Sequence, residues 1–237
     1  MIDIQLMPSF QFTHDQRPQP VPDLPRTAIV LVALERHPMP RATLAARLWP
    51  DVPEVPRLKR LRNLLWRINH MFPHETVLTV SQGRVGLSGE AGGVDLYTAW
   101  DVADSVLRQT LSKQEIADSP PERWQPLKTP VLVGESSDQV HTLQTEWNHT
   151  RLLALDALAA VLLAADNTLL SIEMAVAATK IDHLHESPYR TVTAAFLERN
   201  DNATAWRVYQ EYARFIGTEL DLTPSDEYQA LAARIKV

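Results

Sequence analysis

The sequence contains no cysteine, and its 237 residues include only seven glycines. The absence of cysteine excludes disulfides, thiolate metal sites and a cysteine nucleophile. No glycine-rich phosphate-binding motif, nucleophile elbow or His-Glu-x-x-His motif occurs. The sequence therefore offers no residues on which to place a catalytic site. We predict that the chain is not an enzyme and that it needs no cofactor.

Long apolar runs are also missing. The longest is near 152–165, where Asp156 interrupts it, and this run is too short and too polar for a membrane span. The first six residues lack the cationic flank and apolar run of a signal peptide. Among the eight histidines, His183 and His185 are two apart without a ligand set of cysteines or acids, so no metal site is expected. These features predict a soluble, cytoplasmic protein with no membrane partner.

The charge is distributed unevenly between the two halves of the chain. Residues 1–92 contain 11 Lys/Arg and 8 Asp/Glu, whereas residues 93–237 contain 12 and 21. The front half is therefore mildly basic and the rear half strongly acidic, within a chain of net charge −6. Such an asymmetry predicts a polyanionic partner for the front half and a different partner for the rear half.

Much of the positive charge lies in one amphipathic segment, residues 56–72, which carries five Lys/Arg and no acid. One face is apolar at helical spacing and consists of Leu58, Leu61, Leu65, Ile68 and Phe72. The opposite face offers cationic groups, an amide and two aromatic rings, of the kinds that contact base edges and phosphates in a major groove. A solvated amphipathic helix is the simpler interpretation, and this segment alone does not decide between them.

The neighbouring segments favour DNA binding. The alternation of apolar residues predicts strands at 2–7 and 9–13, followed by helices at 26–36 and 41–48. After the basic helix, strands at 76–80 and 84–87 flank Ser81-Gln82-Gly83 and predict a hairpin. Three helices followed by a hairpin, with the basic helix last, is the order of a winged helix-turn-helix.

The rest of the chain is predicted to be helical. Gly89-Glu90-Ala91-Gly92-Gly93 is interpreted as a flexible break, which divides the chain into domains 1–92 and 93–237. Residues 113–134 are rich in proline and polar residues and are interpreted as irregular. The predicted helices are 94–111, one from 138 onward, 168–180, 187–199, 202–217 and 224–235. Helix pairs that recur near 34 residues are typical of tetratricopeptide-like (TPR-like) stacking.

Four short motifs in this order resemble the antibiotic-regulatory-protein (SARP) family of bacterial transcriptional activators. They are Ala45-Ala46-Arg47-Leu48-Trp49-Pro50-Asp51, Leu61-Arg62-Asn63-Leu64-Leu65-Trp66-Arg67-Ile68, Ala205-Trp206-Arg207-Val208-Tyr209 and Glu219-Leu220-Asp221-Leu222-Thr223-Pro224-Ser225. The resemblance covers nearly the whole chain. It implies an α+β OmpR-type winged helix followed by an all-α, TPR-like bacterial transcriptional activator domain.

The resemblance also implies partners. In this family the helical half supports dimerisation and activation, and the front half also contacts RNA polymerase holoenzyme. The present sequence departs from the family pattern at Trp66, Asn69 and His70, and at Gly83-Arg84 in the wing. These departures concern the operator sequence and the affinity for DNA rather than the architecture.

Eleven residues are candidates for DNA contact. They are Arg41, Thr43, Arg57, Lys59, Arg60, Arg62, Asn63, Trp66, Arg67, His70 and Arg84. Arg84 would reach the backbone or an adjacent minor groove from the wing. Arg41 and Thr43 open a helix whose N–H groups suit a phosphate, and an ordinary capped helix start is an equally good interpretation. Trp66 suits either a thymine methyl group or a protein partner, and the sequence does not choose between these.

The sequence thus predicts a sequence-specific transcriptional activator that binds repeated half-sites on double-stranded DNA as a homodimer, recruits RNA polymerase and resides in the nucleoid. The alternative is a helical protein-interaction scaffold whose winged helix no longer reads DNA. Salt dependence separates the two, because phosphate binding weakens steeply as salt rises.

Overall fold

The computed structural model describes residues 2–71, 75–89 and 91–236. Phe72, the last residue of the predicted apolar stripe, and Glu90, in the predicted break, lie outside the described residues. The chain divides into two compact units. We call residues 1–98 together with 130–144 the front unit, and residues 99–129 together with 145–237 the rear unit.

The front unit begins with a four-stranded sheet of strand order β3-β2-β1-β7. The bounds of its strands are β1 Ile2–Gln5, β2 Gln11–His14, β3 Arg17–Pro18 and β7 Ala91–Val94. The alternation in β1 places Ile2 and Ile4 in the core, and Ile4 pairs with the equally buried Phe12 of β2. This confirms the strands predicted at the start of the chain.

Strand β7 corrects one expectation. Residues 89–93 were interpreted as a flexible break, but Ala91–Val94 pairs with β1 in parallel and completes the sheet. The pairing supplies partners for backbone groups at the edge of β1 that burial would otherwise leave unsatisfied. Whether the domains divide at residues 92 and 93 stays a prediction.

The three helices and the hairpin follow in the predicted order. The helices are α1 Asp23–Leu34, α2 Arg41–Leu48 and α3 Glu54–Asn69. The short strand β4 Met39–Pro40 joins β5 Leu78–Ser81 and β6 Arg84–Leu87 in a sheet of order β4-β6-β5. In the turn, Gln82 and Gly83 both have positive φ, 49° and 75°, as a two-residue type I′ hairpin requires.

The rear unit is helical throughout its regular structure. Its helices include the C-terminal parts of α4 Asp95–Leu107 and α7 Asp138–Ala164, together with α5 Lys113–Asp118, α6 Gln125–Lys128, α8 Thr168–Thr179, α9 Glu186–Glu198, α10 Asn202–Leu220 and α11 Asp226–Ala232. Helix α8 packs on α9, and α9 packs on α10 and α11. The region 113–134 is more regular than predicted, because a capping box at Ser112 and Glu115 starts α5 and a 3-10 turn precedes α6.

The rear core contains two fully buried tryptophans, Trp124 in the 3-10 turn before α6 and Trp147 on α7. The buried apolar residues of α7 include Leu143, Trp147, Leu152, Leu155, Leu158 and Leu162. A winged helix followed by a helical domain is therefore the fold, as predicted. No helix among the described residues has both the length and the apolarity needed to cross a lipid bilayer.

Candidate nucleic-acid interface

Helix α3 is held by its apolar face, which leaves its basic face exposed. Leu61, Leu64, Leu65 and Ile68 are buried, whereas Leu58 at the helix start is half-buried. The exposed side chains on the other side are Lys59, Arg60, Arg62, Asn63, Trp66, Arg67 and His70. The 3.6-residue period thus separates the two sets as the sequence predicted.

The four exposed cations of α3 have no protein partners in the part of the chain that the structure describes. Lys59, Arg60, Arg62 and Arg67 make neither an ion pair nor a side-chain hydrogen bond there. Two other arginines of the front unit do form ion pairs, since Arg26 pairs with Glu135 and Arg47 pairs with Glu35. An array of unpaired guanidinium and ammonium groups on one helix face is the arrangement that binds phosphates and guanine edges.

The wing residue Arg84 is exposed at the start of β6, directly after the hairpin turn. Its Nε donates a hydrogen bond to the carbonyl oxygen of Pro38 at 2.7 Å, which restricts the orientation of the guanidinium group. Its two terminal amino groups make no hydrogen bond with the residues that the structure describes. The placement suits the predicted contact with the DNA backbone, which stays a prediction.

Three predicted contact residues are less accessible than the others. Arg57 is half-buried, and its Nη1 lies 3.4 Å from the carbonyl oxygen of Val52. Arg41 and Thr43 are also half-buried, at the first turn of α2. The backbone N–H of Arg41 already donates to the carbonyl oxygen of Gly83 at 3.0 Å. Any phosphate at this helix start would therefore be bound by the other N–H groups of the turn.

Trp66 and His70 form a stacked pair one helical turn apart. Their ring centroids are 4.1 Å apart and their planes are inclined by 27°, while the Trp66 side chain remains 61% exposed. His70 Nδ1 lies 2.8 Å from the Trp66 carbonyl oxygen, which can only accept, so Nδ1 carries the hydrogen. In the neutral ring Nε2 is then an acceptor, suited to the amino group of adenine or cytosine.

Sequence reasoning missed the role of Asn69, which appeared only as a departure from the family pattern. Its side-chain nitrogen donates to the Leu78 carbonyl oxygen at 2.7 Å, and its oxygen accepts from the N–H groups of Val77 and Leu78 at 3.2 and 3.0 Å. Asn69 thus joins the end of α3 to the start of β5 and sets the position of the wing relative to the basic helix. The only signal in the sequence was its place beside the apolar stripe.

We expect Asn69→Ala to lower the free energy of unfolding of the front unit by about 1–3 kcal/mol, because buried backbone groups of β5 lose their partners. Asn63→Ala is the matched control, since Asn63 is exposed on the same helix and makes no side-chain hydrogen bond with described residues. It should leave stability unchanged and reduce only DNA affinity. Urea unfolding of both variants checks this; equal stability losses would contradict the assignment of Asn69.

A second group of polar side chains also lies in the front unit. His14, Asp15 and Glu75 bring three ligand-type atoms within 4.8 Å of one another. Analysis of the histidine spacing could not find this group, because Glu75 is distant in the sequence from the other two. Such groups are common at surfaces without an ion, and the expectation that the chain has no metal site stays a prediction.

Comparison with known families finds a match for the rear part of the chain. Residues 127–236 match the family model of the bacterial transcriptional activator domain. This segment is therefore similar to a bacterial transcriptional activator domain. This match supports the predicted resemblance to SARP-type regulators, which are transcriptional regulators and not a class of enzymes. No curated protein sequence matches the chain significantly.

A solved structure shows the same fold over the whole chain. It is Mycobacterium tuberculosis EmbR in complex with a low-affinity phosphopeptide, with a TM-score of 0.72 and 18% sequence identity. The alignment covers 99% of this chain but 64% of the EmbR chain. At this identity the likeness establishes the fold alone, so the winged helix and the activator domain are shared as architecture.

Proposed function

We propose that this activator-domain protein is a sequence-specific DNA-binding transcriptional activator. The observation that carries the proposal is the exposed face of α3, where Lys59, Arg60, Arg62 and Arg67 lack protein partners in the described structure. A row of unpaired cations on one helix face creates a local positive potential that attracts a polyanion, although the net charge of the chain is negative. The winged-helix fold places such a helix where it can enter a major groove.

In this proposal the exposed α3 residues divide into two roles. Arg60, Asn63 and Arg67 read base edges, because guanidinium and amide groups can form paired hydrogen bonds with guanine and adenine. Lys59 and Arg62 bind phosphates and set the register of the helix on the duplex. Arg84 binds the flanking backbone from the wing, and the Trp66 ring contacts a thymine methyl group or a sugar.

The activator domain would provide assembly rather than DNA contact. Residues 93–237 carry 21 acidic and 12 basic residues, so this half repels a duplex and favours a protein partner. We propose that it pairs two protomers on repeated half-sites and that the DNA-bound dimer recruits RNA polymerase holoenzyme in the nucleoid. Linking two weak binding events would raise the affinity for a double site without new contacts.

The salt dependence of binding tests this function. Duplex fragments recovered from genomic DNA by the purified full chain should bind with a log–log salt slope of about −3 or steeper, because each phosphate contact contributes about −0.9. Fluorescence anisotropy titrations at four salt concentrations would give the slope. A slope near zero, or failure to recover any fragment, would contradict the proposal.

The alternative is a scaffold whose winged helix binds protein, and one observation favours it. The Trp66–His70 pair is a large exposed aromatic surface in the middle of the basic face. Aromatic residues of this kind are enriched at protein interfaces. A partner bound through this pair would bind with little salt dependence, so the same titration distinguishes the two functions.

A further inference from the structure

A cavity of about 400 Å³ in the rear unit combines aromatic rings with carboxylates. It opens beside α9 and α10 and is lined on its aromatic side by Tyr189, Tyr212 and Phe215. Glu211 and Glu219 of α10 also line it. All of these residues belong to one compact unit, and none belongs to the basic face of α3.

The aromatic side of the cavity is preorganised by contacts among its own rings. The Tyr189 and Tyr212 centroids are 4.7 Å apart, and the Phe215 ring meets His183 edge to face at 6.0 Å. The Tyr212 hydroxyl donates to the Leu184 carbonyl oxygen at 3.2 Å, so this ring is held in place. Aromatic faces carry the negative part of the ring quadrupole and attract cations.

The charge around the cavity is also negative. Glu211 and Glu219 form no ion pair within the described part of the chain, and Arg214 is the cation that lines the cavity with them. Burial raises the pKa of Tyr189, and the nearby charges of Glu211 and Asp182 raise it further. Burial raises the pKa of Tyr212 to about 12, with a further contribution from Glu186. Two carboxylates against one guanidinium disfavour an anionic ligand.

We propose that this cavity binds an organic cation, an alkylammonium or quaternary ammonium group, in contact with Tyr189 and Phe215 and balanced by Glu211 and Glu219. Ring faces and carboxylates together attract a cation with apolar substituents, whereas carboxylates alone would serve a hydrated metal ion and rings alone an uncharged ligand. The volume suits a small molecule or one side chain. This inference is independent of DNA binding.

Calorimetric titration of the full chain with choline and with 3,3-dimethylbutan-1-ol tests the requirement for charge. The two probes have the same shape and differ in the positive charge, so choline should bind about tenfold more tightly. A blocked Gly-Lys-Gly peptide tests the source of the cation. Tighter binding of choline than of the peptide indicates that the ligand is a free small cation. Tighter binding of the peptide indicates that the ligand is a lysine side chain of a protein partner. Equal binding of choline and the alcohol, or binding of no probe, would overturn the proposal.

Variants localise the binding to this cavity. Glu211→Gln with Glu219→Gln should weaken cation binding by about tenfold, since two attractive charges are lost. Glu198→Gln removes an exposed carboxylate of the same unit outside this cavity and should have no effect. Phe215→Leu should weaken binding, and Arg214→Gln should strengthen it. If the Glu198 control loses as much affinity as the double variant, the cation is bound elsewhere and the proposal fails.

Discussion

Replacement of both Arg60 and Arg67 by alanine is expected to lower the affinity for duplex DNA by about 100-fold or more, because each good bidentate contact contributes about 1–3 kcal/mol. Both side chains are exposed on α3 and neither has a partner in the described structure. Their removal therefore takes nothing from the packed face formed by Leu61, Leu65 and Ile68. Circular dichroism and thermal unfolding should not change.

The control for this prediction removes the same charge from another part of the chain. Arg199→Ala with Arg207→Ala removes two exposed arginines of the rear unit and shifts the net charge equally. Anisotropy titrations of both double variants with one duplex, at one salt concentration, distinguish the effect of where the charges lie from the effect of net charge. If the two double variants bind equally well, the effect is one of net charge and the assignment of α3 as the reading helix is wrong.

The elements of the interface were predictable because they depend on local patterns. The apolar spacing of Leu61, Leu65 and Ile68 fixes which face of α3 is buried, so the exposed set follows from helix geometry alone. The hairpin was predictable for a similar reason, since two short apolar strands flank the turn and Gly83 accepts the positive φ of 75° there. Neither inference needed information about distant parts of the chain.

Contacts between distant segments were not predictable from these patterns. Strand β7 contains two glycines and has no alternation, so nothing local distinguishes it from a loop; pairing with β1 makes it a strand. The hydrogen bonds of Asn69 with Val77 and Leu78 depend on where β5 begins, which lies several residues further along the chain. Trp66 and His70 were predicted to be exposed, but their stacking depends on rotamers that spacing alone does not specify.

The front unit also includes a segment that the sequence assigned to the rear half. Within residues 130–144, the backbone N–H groups of Leu132 and Val133 donate to the carbonyl oxygens of Leu6 and Pro8 at 2.9 and 2.7 Å. The carboxylate of Asp95, the first residue of α4, also accepts hydrogen bonds from the backbone N–H groups of Leu6 and Met7. A fragment that ends at residue 92 would lack all of these contacts. DNA binding by the winged helix therefore has to be measured on the full chain.

Substitution of Leu132 is the second change for which we expect a large effect, in this case on the stability of the front unit. Its side chain is fully buried, so Leu132→Ala should lower the free energy of unfolding of this unit by about 2–5 kcal/mol through lost burial and the cavity left behind. Leucine and alanine both carry a Cβ atom and are similarly strained at the backbone φ of 47°. The substitution therefore changes the buried apolar surface and leaves the backbone strain unchanged. The β1 amides should then exchange with solvent much faster.

The neighbouring residue provides the matched control for Leu132. Val133 is 55% exposed and makes its contact with Pro8 through the backbone, so Val133→Ala should leave amide exchange in β1 unchanged. Hydrogen-exchange mass spectrometry of the full chain would compare Ile2–Gln5 in both variants, with the amides of α10 as an internal reference. Because α3 and the wing belong to the same unit as Leu132, Leu132→Ala should lower both the protection of the β1 amides and the affinity for DNA. Val133→Ala should change neither of them. Loss of protection in both variants, or in α10 rather than β1, would show that residues 130–144 do not stabilise the winged helix.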